Sequence, residues 1–167
     1  MSEVGTLRLV VGPVGAGKST FARRRVADGS GVFFDLDPWM VRLFGDDARP
    51  KGDVLGWYLE RRERCRGVMW DAACAVVRAG VDAYVELGLM TASHRRLYVE
   101  RAQAEAVPVV MHLAEAPRDV RRARVLARNE SGAAYVQVVP EPFFEQASDA
   151  WEPVTKDERS TVSTEDV

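Results

Sequence analysis

The stretch Gly12-Pro13-Val14-Gly15-Ala16-Gly17-Lys18-Ser19 constrains this chain more than any other. It matches G-x-x-x-x-G-K-[ST] at every fixed position, the Walker A pattern. It follows a short apolar run, Leu7 to Val11, that reads as a buried strand. It opens a segment from about Lys18 in which Phe21, Ala22 and Val26 are expected to face inward from a helix. Strand, glycine loop and helix form the context in which backbone N–H groups converge on a phosphate. The glycines let the chain turn without a Cβ in the way. Pro13, Val14 and Ala16 belong to the same cradle, and Thr20 continues the first turn behind it. Lys18 is expected to reach the β- and γ-phosphates and the Ser19 hydroxyl to ligate Mg²⁺. The implied cofactors are ATP and Mg²⁺.

The rest of the chain reads as strands alternating with helices. Further strands are expected at Val32–Phe34, Val81–Leu87 and Val107–Leu113, with a short extended piece at Tyr135–Val139. Helical spacing covers Trp39 to Phe44, about Leu55 to Ala79, Arg95 to Ala106, Pro117 to about Asn129, and a segment containing Phe143, Phe144 and Trp151. Such alternation implies an α/β fold with a parallel sheet of four or five strands covered on both faces. A chain of 167 residues makes one domain. Residues 1–153 are taken as that domain and the polar stretch 154–167 as a flexible tail. Cys65 and Cys74 fall in one helix, on opposite faces and about 13 Å apart along its axis, too far for a disulfide. A net charge of -2 argues against duplex nucleic acid as a partner. No apolar run approaches the ~18 residues of a membrane span. With no signal-peptide pattern at Met1 onward, the expected location is the cytoplasm.

In an open parallel sheet, ligands sit beyond the carboxyl ends of the strands. Asp35 and Asp37 follow the second strand and Glu86 ends the third, so all three are expected to face the crevice of Lys18. A carboxylate there can take the proton of a substrate hydroxyl. Asp37 is the first choice for this base and Asp35 the second, while an Asp before Pro38 also reads as an ordinary N-cap. Glu86 suits a magnesium-bound water or a substrate hydroxyl, against a solvated strand end. Trp39 and His94 are further candidates for touching substrate, with packing and an exposed helix start as their bland readings. Asp46, Asp47 and Asp53 read as solvated loop charge or as contacts for a cationic acceptor. Arg121, Arg124 and Arg128 share one face of the helix after the fourth strand. From a lid at about residues 117–135, Arg124 and Arg128 are the arginines expected to meet the γ-phosphate.

The order of these parts resembles the small P-loop kinases of the AAA-33 type. The parts are a phosphate loop, Asp-x-Asp after the second strand, an acid ending the third, and an arginine-rich lid with "RN". That group includes the kinase domain of phage polynucleotide kinase, with chloramphenicol phosphotransferase and the zeta toxins as broader relatives. The likeness extends to "DPWMVRLFGDD" and "WYLERRERCR". It implies a three-layer α/β/α fold of the P-loop NTPase type and ATP as the nucleotide. It puts Asp37 at the catalytic aspartate, Glu86 at a substrate-side acid, and Arg124 with Arg128 at the lid arginines. Two positions depart from the pattern. Glu86 stands where Asp is common, and Met40 where Arg is frequent; Arg42 lies two positions further on and faces a different way. The expected activity is transfer of the γ-phosphate of ATP to a hydroxyl of a small molecule such as an antibiotic, nucleoside or sugar. A polynucleotide 5′-kinase and a nucleotide-binding regulator without acceptor are the alternatives. Oligomeric state is left open by the sequence.

Overall fold

A computed structural model describes residues 4–133 and 137–167. Its elements run β1 (Leu7–Val11), α1 (Lys18–Arg25), β2 (Gly31–Asp35), α2 (Leu36–Phe44), α3 (Val54–Arg78), β3 (Asp82–Glu86), α4 (Ala92–Ala104), β4 (Val109–Leu113), α5 (Arg118–Glu130), α6 (Glu141–Ala150), α7 (Lys156–Thr161) and β5 (Ser163–Asp166). The strands form one all-parallel sheet in the order β2-β3-β1-β4-β5. The strand leading into the glycine loop is therefore central. A central parallel strand is covered on both faces, which is why β1 reads as an uninterrupted apolar run.

Alternation along β1 assigns its side chains to two layers. Leu7, Leu9 and Val11 join the larger core with Met69, Trp70, Ala73, Cys74 and Val77 of α3 and Tyr98, Val99 and Ala102 of α4. Val10 faces the other way and packs with Ala22 of α1 and Tyr84 of β3, flanked by Phe21, Val26 and Phe33. A third cluster, Val125, Val139 and Phe144, joins α5 to α6 and receives Val14 from the glycine loop. Along α3 the buried residues 65, 66, 69, 70, 73, 74 and 77 span close to ~180° of the helix circumference. Cys65 and Cys74 mark the two edges of that face, so residues on opposite sides of a helix are both buried. Val68 lies outside it and is exposed. His112 is fully buried on β4 between Arg8 and Glu165 and stacks on Tyr84. Among the described residues no helix is long and apolar enough to cross a membrane.

The segment after Pro153 departs from the flexible tail expected of it. It forms α7 and β5, and β5 extends the sheet by pairing Ser163 with Val110 through Asp166 with Leu113. An edge strand needs backbone partners more than apolar side chains, and Val162 alone in this stretch is buried. The other anchor is ionic. Arg95 of α4, 1% exposed, holds Glu158 of α7 at 2.6 and 3.1 Å. Thr155 and Glu158 close a capping box at the start of α7. The expected extended piece at Tyr135–Val139 begins outside the described residues, and 137–139 form no strand.

Burial alone would raise the Glu158 carboxyl, but the hydrogen bonds from Arg95 and from the Thr155 N–H outweigh it and hold it below its ordinary 4.5. The stabilisation is therefore present above the unfolded value and lost as pH falls through the folded one. Glu158→Gln should lower stability by roughly 3 kcal/mol at pH 7, the cost of leaving a buried guanidinium without its partner. The gap between variant and parent in urea melts should shrink as pH falls below the carboxylate range.

Candidate active site

The glycine loop is wedged between the end of β4 and α5. A Cβ on Gly12 would lie 2.2 Å from the carbonyl oxygen of Ala114, just past β4. A Cβ on Gly15, at φ 78°, would lie 2.7 Å from the carbonyl oxygen of Arg121 in α5. Both positions exclude side chains by backbone contact, which is the physical content of the motif's first glycine and of Gly15 between its fixed positions. Gly17 is the N-cap of α1 and has no side chain to cap with, so the first turn of that helix keeps the uncapped N–H groups that suit an anion.

Lys18 folds over this loop, its Nζ donating to the carbonyls of Gly12 at 2.9 Å and Pro13 at 3.0 Å. Its other neighbour is Glu86, 3.5 Å away. Ser19 donates its hydroxyl to the second oxygen of the same carboxylate at 3.2 Å. Glu86 therefore meets the phosphate loop directly. The reason is topological: β3 lies beside β1, so the ends of the two strands emerge together.

β2 is the next strand out, and its Asp35 pairs in register with Glu86. Asp35 is buried and paired with Arg23 of α1 at 3.1 Å. Burial, then the negative charges of Glu86 and Asp37, raise its carboxyl to about 7 against the opposing pull of Arg23 and a hydrogen bond from Ser19. Asp37, two residues on, is half-buried in the first turn of α2. The N-cap of that helix is Asp35, so the N-cap reading of Asp37 does not hold.

The donor set suits a small hard cation. Mg²⁺ uses few protein oxygens and completes its octahedron with water and phosphate. Among the described residues no group of three or more His, Cys, Asp or Glu forms a protein-only cage. Ser19 would hold the ion beside nucleotide phosphates, with Glu86 and Asp35 facing its waters. Bound there, it would neutralise charge on the phosphates.

The arginines of α5 divide into different jobs. Arg121 is buried and donates to the carbonyls of Val14 at 3.0 Å and Ala116 at 3.1 Å and to the Ser148 hydroxyl at 3.1 Å. It bolts the loop to α5 and α6. Arg124 is exposed and reaches the carbonyls of Gly15 and Ala16 at 3.5 and 3.4 Å, the long end of hydrogen bonding. Arg128 is exposed and makes no side-chain hydrogen bond or ion pair among the described residues. Arg118 and Arg122 both pair with Glu145, which locks α5 to α6. Helical spacing put three arginines on one face but could not show that the first of them points into the protein.

Other candidates lie apart. Trp39 packs on Phe34 and the main core. His94 is exposed in the first turn of α4, its N–H capped by Thr91. Asp53 is the N-cap of α3 and accepts from the Gly56 N–H at 2.7 Å, while Asp47 faces Arg61 at 3.7 Å. Sequence reasoning assigned no role to the arginines of "WYLERRERCR". Arg66 is buried and donates to the carbonyls of Leu87 at 2.8 Å and Gly88 at 3.1 Å, holding the turn that leaves β3.

The family model of the AAA domain type AAA_33 matches residues 7–153. The chain belongs to that family. Solved structures with the same fold include a chain of the Pnkp1/Rnl/Hen1 RNA repair complex, at TM-score 0.68 and 18% identity over 90% of this chain. This chain spans 45% of that one. Kti12 of Chaetomium thermophilum in complex with ADP-AlF3 matches at TM-score 0.63 and 17% identity, covering 96% of this chain and 88% of that one. A gluconokinase from Sinorhizobium meliloti matches at TM-score 0.58 and 17% identity, covering all of this chain and 83% of that one. No curated protein sequence matches. The fold is that of the small P-loop kinases.

Arg121→Met should cost roughly 3 kcal/mol of stability, because three partly buried acceptors lose a charged donor. It should also weaken ATP binding by loosening the loop. Arg124→Met, at an exposed site, should change stability by less than about 0.5 kcal/mol. Thermal melts with and without ATP separate the two variants.

Proposed function

We propose that this protein is an ATP- and Mg²⁺-dependent phosphotransferase acting on a hydroxyl of a small molecule. The observation that carries the reading is the division of labour among the three carboxylates. Glu86 and Asp35 are engaged with Ser19, Lys18 and Arg23, on the nucleotide side. Asp37 is carried one step further by the start of α2 and is left to serve the acceptor.

In this reading the loop amides and Lys18 hold the β- and γ-phosphates, and Ser19 orients the nucleotide with its ion. Asp37 accepts the proton of the acceptor hydroxyl. The acceptor oxygen forms its bond to the γ-phosphorus as the bond from that phosphorus to the β,γ-bridging oxygen breaks, and ADP departs with the bridging oxygen. Arg124 and Arg128 stabilise charge on the transferred group, and the α5–α6 pair moves to release product. The residues left Glu86 between a magnesium-bound water and a substrate hydroxyl, and the family resemblance gave it the substrate side; its contact with Ser19 favours the magnesium-bound water.

Transfer from γ-labelled ATP to a panel of alcohols, sugars, nucleosides and oligonucleotides tests the reading. Asp37→Asn should reduce transfer by about 10²- to 10⁴-fold, the usual worth of a general base, with ATP affinity within about threefold of the parent. Glu86→Gln should raise the Mg²⁺ concentration needed for tight ATP binding, read by titration calorimetry. ATP hydrolysis indifferent to every acceptor and to Asp37→Asn would instead favour a nucleotide-binding regulator.

A further inference from the structure

Tyr58, Arg62 and Arg66 follow one another at four-residue spacing along α3 and so share a face. At one end of this row, Tyr58 lines a cavity of about 100 Å³ together with Met40, Val41, Phe44, Arg49 and Trp57. Met40 and Val41 lie one helical turn beyond Asp37, so the cavity begins beside the proposed base. At the other end, Arg66 holds the Leu87 and Gly88 carbonyls, one and two residues past Glu86. Arg62 sits between. It donates to the Tyr58 hydroxyl at 3.1 Å, and its Nη2 lies 2.0 Å from where a Cβ on Gly88 would stand. Gly88, at φ 62°, is what lets a guanidinium lie across the exit of β3.

The charges of this helix are otherwise paired. Arg61 faces Asp47 and Glu60, Arg64 faces Glu60, and Arg66 is paired with Glu63. Arg62 has no carboxylate within ion-pair distance among the described residues, and its Nε is buried without a hydrogen-bond partner. Glu86, at the end of the strand that Arg62 crosses, is turned toward Lys18 and Ser19. Arg49, on the cavity wall, is likewise stacked on Trp57, with no acid in ion-pair distance among the described residues, and Arg61 lies over the same ring, the two at 4.2 and 4.0 Å from its centre. A partly buried guanidinium with an unused donor is stabilised by a planar anion that can take two of its N–H groups.

We propose that the acceptor is a small organic anion, an alcohol bearing a carboxylate or phosphate. Its body enters the cavity at Met40 and Tyr58, its charge rests on Arg62, and its hydroxyl meets Asp37. The inference deepens the phosphotransfer reading and rests on it, since it names the class of alcohol. Arg62 is on this account a substrate-binding residue, and the proton and phosphoryl movements are unchanged.

The test uses the full chain with Mg²⁺ and γ-labelled ATP against gluconate, glycerate and glucose 6-phosphate, each beside the neutral glucose and glycerol. Binding of the same probes is read by calorimetry in the presence of a non-hydrolysable ATP analogue. The anions should be preferred over the neutral alcohols. Arg62→Ala should raise KM or Kd for the preferred anion by about tenfold to a hundredfold, the worth of a charge-assisted hydrogen-bonded contact. KM for ATP should stay within twofold. Arg62→Lys should recover part of the loss, and Arg62→Gln, which keeps a donor for Tyr58, guards against a loss due to misfolding. Label passing to neutral alcohols as readily as to anions would overturn the anion site while leaving phosphotransfer standing. Anions bound through Arg62 but never labelled would leave the site standing and sink phosphotransfer. Failure of every anionic probe to bind would overturn the inference outright.

Discussion

The position of β1 in the middle of an all-parallel sheet governs everything else in this molecule. With β3 on one side and β4 on the other, the exit of β1 is hemmed in by two other strand exits. The glycine loop must rise through that gap, and the close approach of Gly12 to Ala114 shows how little room there is. The same adjacency delivers Glu86 to Ser19 and, one strand further, Asp35 to Glu86. Strand order, more than any single side chain, thus decides which acids meet the glycine loop.

Charge is distributed accordingly. Acidic groups concentrate at the ends of β2 and β3, and guanidinium groups approach that centre from α1, α3 and α5. These arginines are held in different ways: Arg23 by a carboxylate, Arg121 by backbone carbonyls and a hydroxyl, Arg66 by backbone carbonyls and Glu63, Arg124 loosely by the loop. The carbonyl-bound ones are structural braces whose charge is spent on the fold.

Much of this architecture was legible in the residues. Buried parallel strands are continuous apolar runs, so β1 to β4 stood out, and glycines marked the ends of α2 and α3. The phosphate loop carried its own context. What escaped was whatever depends on neighbours in space. The contact of Ser19 with Glu86 follows from strand order, which periodicity does not contain. The inward turn of Arg121 follows from the docking of α6, since an i, i+3, i+7 pattern defines a face without saying what covers it. β5 escaped because an edge strand is made by backbone pairing, and "STED" has no apolar alternation to betray it. The role of Asp35 as N-cap of α2, in place of Asp37, was a matter of one or two residues at an element boundary, where local signals are weakest.

The two cysteines at the edges of α3 give the molecule a built-in pair of reporters. Burial pushes both thiols up, Cys74 to about 11 with help from the negative charge of Glu105. Neither reacts at an appreciable rate until its part of the helix lifts away from the sheet. Cys65 belongs to the first half of α3, which carries Arg62, and Cys74 to the second. Unequal alkylation kinetics at the two sulfurs would therefore distinguish breathing of one end of the helix from collapse of the whole domain.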